Sequence, residues 1–92
     1  MRKRFRRKIG IRFNEIYFKP RGIPLRELKE VKITDEELET LRLRYLKRMD
    51  QQTAARKMGI SQSQYQRDIT AVLEKITEAL ITGYAIKISK TK

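Results

Sequence analysis

The chain predicts a mainly α fold: a three-helix-type helix-turn-helix domain with a small β element from its N- and C-terminal segments. Three observations predict it. Residues 50–75, DQQTAARKMGISQSQYQRDITAVLEK, read as a short helix, a turn on Gly59 and a second helix capped by Ser61. Thr34-Asp35-Glu36-Glu37 opens an earlier helix with a capping box. Residues 9–18, IGIRFNEIYF, and 84–88, YAIKI, alternate apolar and polar side chains as strands do.

Each element follows from local chemistry. Residues 1–8 are expected to form a flexible basic arm, and 9–92 a single domain whose helix-turn-helix core is 50–75. Ile9, Ile11 and Phe13 share one strand face, Asn14-Glu15 supplies a turn, and Ile16, Tyr17 and Phe18 make a second short strand. Phe13 and Phe18 are expected in the core of the small sheet. Pro20, Gly22 and Pro24 break regular structure. Leu25, Leu28 and Val31 then read as a short helical turn.

From Thr34 the apolar positions Leu38, Leu41, Tyr45, Leu46 and Met49 keep helical spacing. Asp35, Glu36, Glu37 and Glu39 sit at the start of that helix, where its dipole favours acids by about 0.3–1 kcal/mol each. Asp50 is an N-cap candidate, Ala54, Ala55 and Met58 mark a buried face, and Gly59 ends the helix with positive φ. Ser61-Gln62-Ser63-Gln64 reads as a second capping box. The stripe Tyr65, Ile69, Val72, Ile76 and Leu80 follows, on a long helix ended by Gly83. Residues 84–88 are expected to pair with 9–18.

Composition narrows the function. Ninety-two residues make one domain with a small core, burying roughly 60–65% of the unfolded surface. No apolar run is long enough to span a membrane, and no signal peptide is expected. There is no cysteine, consistent with a cytoplasmic protein, and no histidine. The commonest thiolate and imidazole metal ligands and the commonest general base are therefore missing. No Gly-rich phosphate loop is present either, so no catalytic residue, metal or cofactor is expected and an enzyme is disfavoured. The net charge is +12, from 23 basic and 11 acidic residues, which attracts polyanions.

The helical pair meets the requirements of a DNA-reading motif. Ala55 permits close helix crossing, Gly59 the left-handed turn, Ile60 a core plug, and Tyr65 with Ile69 an anchor. The opposite face carries Gln62, Ser63, Gln66, Arg67 and Thr70 as candidate base-reading residues. Gln pairs with adenine, Arg with guanine, and Ser or Thr with either. Gln51, Gln52 and Thr53, at the start of the preceding helix, are candidates for phosphate binding. So are Arg2, Lys3, Arg4, Arg6, Arg7 and Lys8 of the arm, which otherwise serve as a solvated tail. Asp68 beside Arg67 is expected to face sideways or to pair, since it repels phosphate.

On these residues a family resemblance is visible. Residues 17–28, YFKPRGIPLREL, resemble the opening signature of a prokaryotic family of small uncharacterised, predicted DNA-binding proteins. Residues 37–43, ELETLRL, resemble its next block. Ala54-Ala55 and Met58-Gly59-Ile60-Ser61 are similar to its helix-turn-helix, which is like region 4 of sigma-70-type factors. The resemblance covers nearly the whole chain. It implies double-stranded DNA as partner, transcription regulation as role, and recognition residues on the helix after Ser61. The chain departs from the pattern at Asp68, where an apolar residue is expected, and at Gln62, where a basic one is frequent.

Two other partner classes remain open on the sequence. One is structured RNA or the ribosome. The other is a protein such as RNA polymerase, met through the acidic start of the first helix. A homodimer is also expected to be possible, through the end of the long helix with residues 84–88.

Overall fold

The computed structural model describes residues 16–90. The basic arm with its six cationic candidates (Arg2, Lys3, Arg4, Arg6, Arg7 and Lys8), the strand expected at 9–13 and the Asn14-Glu15 turn lie outside the described residues. Along the chain come β1 (Ile16–Phe18), a single 3-10 turn (Leu25–Glu27), β2 (Glu30–Thr34), α1 (Asp35–Leu41), α2 (Gln51–Met58), α3 (Gln62–Thr82) and β3 (Ala85–Ser89). One π turn, Arg42–Leu46, continues α1. The protein is mainly helical with a small β element, as the sequence predicts, and that element is a three-stranded sheet.

The strand order is β1-β3-β2. The closing strand β3 pairs antiparallel with β1, Tyr17 opposite Lys87, and this pairing is the expected one. It also pairs in parallel with β2, Val31 opposite Ile86 and Ile33 opposite Ile88. Parallel neighbours need a crossover. Here the crossover is the entire helical unit, α1 to α3.

The strand β2 corrects the sequence reading of a helical turn through Val31. Only Leu25–Glu27 turns; Glu30-Val31-Lys32-Ile33-Thr34 alternates polar and apolar and enters the sheet, with Ile33 buried.

Thr34 caps α1 as expected. Its Oγ1 accepts from the Glu37 amide at 3.1 Å, and Glu37 Oε1 accepts from the Thr34 amide at 3.0 Å. Lys75 on α3 donates to both Glu37 carboxylate oxygens and to the Lys32 carbonyl, joining α3, α1 and β2. Glu39 is buried, and Arg42 grips it with two bonds of 2.7 and 2.9 Å. That pairing raises the Arg42 pKa above its ordinary value. Glu37 and Glu39 thus serve the fold rather than forming a solvated acidic face.

After Leu41 the helix widens. Lys47 donates to the Arg42 carbonyl five residues back, at 3.0 Å. The extra residue rotates the chain, so Leu43 goes into the core while Tyr45 and Leu46 face solvent, against the straight-helix expectation for both. Two further expectations fail for geometric reasons. Leu80 is 72% exposed and Ala79 is buried in its place. The sequence Tyr65, Ile69, Val72, Ile76, Ala79 advances by four, three, four, three, which tracks a period of about 3.6 better than a final step of four. Phe18 is 56% exposed because β1 is an edge strand with little packed over it.

The core has two parts joined along α3. One contains Leu43, Ala54, Ala55, Met58, Tyr65 and Ile69. The other contains Ile33, Val72 and Ile88. Leu41 packs on both. Tyr65 is fully buried, and its hydroxyl donates to the Thr40 carbonyl at 2.6 Å. No helix among the described residues is long and apolar enough to cross a membrane.

Burial pushes the Tyr65 phenol from 10.0 up to about 12. A raised phenol pKa means the folded state holds its proton longer than the unfolded state. The associated stability is fully present below pH 10 and is lost as pH rises towards about 12. Tyr65→Phe is expected to cost about 1–3 kcal/mol at neutral pH, since it leaves the Thr40 carbonyl without this donor. Urea titrations at rising pH check both parts: the gap between wild type and Tyr65→Phe should narrow as the wild-type phenol ionises.

Candidate nucleic-acid interface

The site is built on α2, its turn and the first half of α3. Asp50 caps α2 in extended geometry, and its Oδ1 accepts from the Thr53 amide at 2.7 Å. That amide, then the Thr53 hydroxyl and the charges of Arg56 and Arg44, hold the Asp50 carboxyl below its ordinary value. This revises one phosphate-binding candidate. The Thr53 amide is already spent on a carboxylate, whose charge also repels a phosphate at the same helix end. Gln52 is exposed and Gln51 and Thr53 are half-buried, so of the three Gln52 presents the most open side chain.

Gly59 closes α2 at φ 75°, ψ 30°. Its amide donates to the Arg56 carbonyl at 3.1 Å, and the Ile60 amide to the Ala55 carbonyl at 3.0 Å. This is the paired Schellman bonding that ends a helix on a left-handed residue. Ile60 packs on the first core cluster. Ala54 and Ala55, both buried, let α2 approach α3 closely.

Ser61 starts α3, its Oγ accepting from the Gln64 amide at 3.1 Å. The expected return bond from the Gln64 side chain is replaced by another arrangement. Gln64 Nε2 donates to Asp68 Oδ1 at 2.7 Å, and Gln64 Oε1 accepts from Arg67 Nη2 at 2.8 Å. Asp68 therefore lies sideways, half-buried, and anchors the glutamine that holds Arg67. Sequence reasoning missed Gln64 as the organiser of this group; its signal is the Gln–Asp spacing of four on a helix.

All five candidate base-reading residues are exposed: Gln62, Ser63, Gln66, Arg67 and Thr70. They fall on one side of α3 because 62, 66 and 70, and 63 and 67, are four residues apart. Gln66 Nε2 donates to Thr70 Oγ1 at 3.2 Å. The opposite side carries buried Tyr65 and Ile69. Arg67 is the one cation among these five. Exposed Arg56 and Lys57, in the last turn of α2, add positive charge that the sequence reading did not single out.

Fold and site together define a small helical domain, closed by a mixed sheet, with a rigidly mounted polar face on its longest helix. The chain belongs to the family described as protein of unknown function DUF134, an uncharacterised prokaryotic family, which matches residues 1–91. It is 48% identical over 71 residues to a UPF0251 protein of Halothermothrix orenii, covering 77% of this chain and 53% of the relative. It is 47% identical over 72 residues to one of Desulforudis audaxviator, covering 78% and 47%. With one of Methanocella arvoryzae it shares 37% over 89 residues, covering 97% and 54%. The chain spans about half the length of these relatives. No solved structure matches it.

A Cβ added at Gly59 meets no atom within 4 Å, so replacement there is opposed by the backbone alone. Gly59→Ala is expected to cost about 1–2 kcal/mol, the penalty of a left-handed conformation for an L residue. Chemical denaturation should show that loss, while Gln62→Ala on the neighbouring exposed face should change stability by less than about 0.5 kcal/mol.

Proposed function

We propose that this protein binds double-stranded DNA sequence-specifically, as a transcription regulator, through a helix-turn-helix formed by α2 and α3. The observation that carries this reading is the face of α3 just described. It presents five exposed polar side chains at four-residue spacing on a helix fixed by buried Tyr65 and Ile69. A helix of this kind fits the major groove with its N-terminal residues at base edges. Arg67 would pair with guanine, Gln62 and Gln66 with adenine, and Ser63 and Thr70 with either. The Gln64–Asp68 pair supports the reading, because it orients Arg67 before any contact is made. The likeness of Ala54-Ala55 and Met58-Gly59-Ile60-Ser61 to sigma region 4 supports it from the sequence side.

The net charge of +12 would supply affinity without sequence preference. Because Arg67 is the one cation on the reading face, most of that grip is assigned to the basic arm and to Arg56 and Lys57. Selection of bound duplexes from a random pool is expected to yield a defined motif. Arg67→Ala should flatten one guanine preference, at about 1–3 kcal/mol. Deleting residues 2–8 should weaken all sequences alike and lower the salt slope, which is near −0.9 per phosphate contact. An unenriched pool, or structured RNA that outcompetes duplex DNA, would overturn this reading.

A further inference from the structure

A second surface lies on the other side of α1. Leu38, Leu41, Tyr45, Leu46, Leu73 and Ile76, with Arg42 beside them, line an open groove of about 420 Å³ between the π turn and α3. Its floor belongs to the core, where Leu38, Leu41 and Ile76 pack on the Ile33, Val72 and Ile88 cluster. Its rim does not: Leu46 is 77% exposed, Tyr45 53% and Leu73 39%.

The backbone creates this rim. A plain α-helix would continue the inward face of Leu38 and Leu41 onto Tyr45. The π turn swings Tyr45 and Leu46 outward, and Arg48 follows at φ 59°, a left-handed conformation unusual for a residue other than glycine. Irregular backbone of both kinds concentrates at functional positions.

Arg42, bonded to Glu39, is the charged residue in the groove's lining, and the charges next to its two apolar rims in the chain are of opposite sign. Exposed Lys47 and Arg48 follow Leu46. Leu73 also borders a shallow depression that contains exposed Glu74 and Glu78. None of these four makes an ion pair among the described residues.

We propose that this groove is where a second copy of the chain docks, in a two-fold dimer. Leu46 and Leu73 of each copy would fill the groove of the other, and Glu74 and Glu78 would meet the partner's Lys47 and Arg48. A two-fold interface uses one patch twice, so the patch must complement itself. A rotation that exchanges the two sides of this groove puts its basic side against its acidic side. A polyanion fits poorly, since Glu74 and Glu78 repel it, and an acidic protein leaves the same two residues opposed. On a chain of net charge +12, copies repel unless acids stand at the contact. The interface does not depend on the DNA reading, and it leaves Gln62, Ser63, Gln66 and Arg67 uncovered.

Sedimentation equilibrium of the full chain without nucleic acid, from micromolar to hundreds of micromolar, tests the proposal. A reversible monomer–dimer equilibrium is expected. Leu46→Glu should raise its dissociation constant about tenfold or more while leaving the monomer's circular dichroism unchanged. Glu74→Lys should weaken the dimer, and Lys47→Glu added to it should restore much of the loss. A wild-type monomer throughout, a Leu46→Glu dimer as tight as wild type, or no recovery in the charge exchange would overturn it. None of these outcomes bears on DNA binding, which gel shifts of the same variants read separately.

Discussion

The burial of one aromatic ring organises the helical half of this protein. Tyr65 sits one turn into α3, fully out of solvent, against Leu43 of the π turn and Ala54, Ala55 and Met58 of α2. Its hydroxyl reaches the Thr40 carbonyl at 2.6 Å, near the end of α1. The same threonine donates to the Glu36 carbonyl and contacts the Met58 sulfur at 3.8 Å. Three helices therefore meet at one phenol. The two alanines are the steric condition for that meeting, because a larger side chain at either would push α2 away and open the ring to water. The angle of α3, and hence the direction in which Gln62 to Thr70 point, follows from this contact.

The second constraint is the parallel pairing of β2 and β3. Strands joined in parallel cannot be connected by a tight turn, so the helical unit must leave one end of the sheet and return to the other. α3 is long enough for this, about 30 Å over its 21 residues. It belongs to both core clusters, with Tyr65 and Ile69 in the first and Val72 in the second. Lys75, bonded to Glu37 and to the Lys32 carbonyl, fixes its middle to both α1 and β2. The polar face and the sheet are two ends of one rod. In its middle position β3 is hydrogen-bonded on both edges, so it offers no free edge for strand pairing with another chain.

Features set by one residue's own chemistry were legible in the sequence. Thr34, Asp50 and Ser61 cap helices, and Gly59 and Gly83 end them at φ 75° and 82°, because a hydroxyl, a carboxylate or a missing Cβ acts locally. The five outward residues of α3 were legible for a similar reason, since helical period alone assigns them to one side. β2 was legible in principle: Glu30 to Thr34 alternates, but the apolar triplet Leu25, Leu28, Val31 offers a competing helical period. The π turn has no signal of its own, because the apolar positions through Tyr45 and Leu46 are those of a straight helix. Nor does the Arg67–Gln64–Asp68 chain, which depends on where three side chains turn rather than on their types.

Along the outward side of α3 the chemistry changes at Thr70. Before it stand Gln62, Ser63, Gln66 and Arg67; after it stand Leu73, Glu74, Thr77 and Glu78. The helix N-terminus carries the positive end of the backbone dipole, and the acids lie beyond it. On the proposed DNA reading, a polyanion approaching this side would meet the first half favourably and be repelled by the acids of the second. On that reading, α3 can then enter a groove only by its N-terminal end, with the acidic half held clear of the phosphates. The acids that limit the depth of entry are the same ones that offset the basic charge between two copies at the groove beside Leu73. One helix would then divide its length between reading and pairing, and Thr70 marks the boundary.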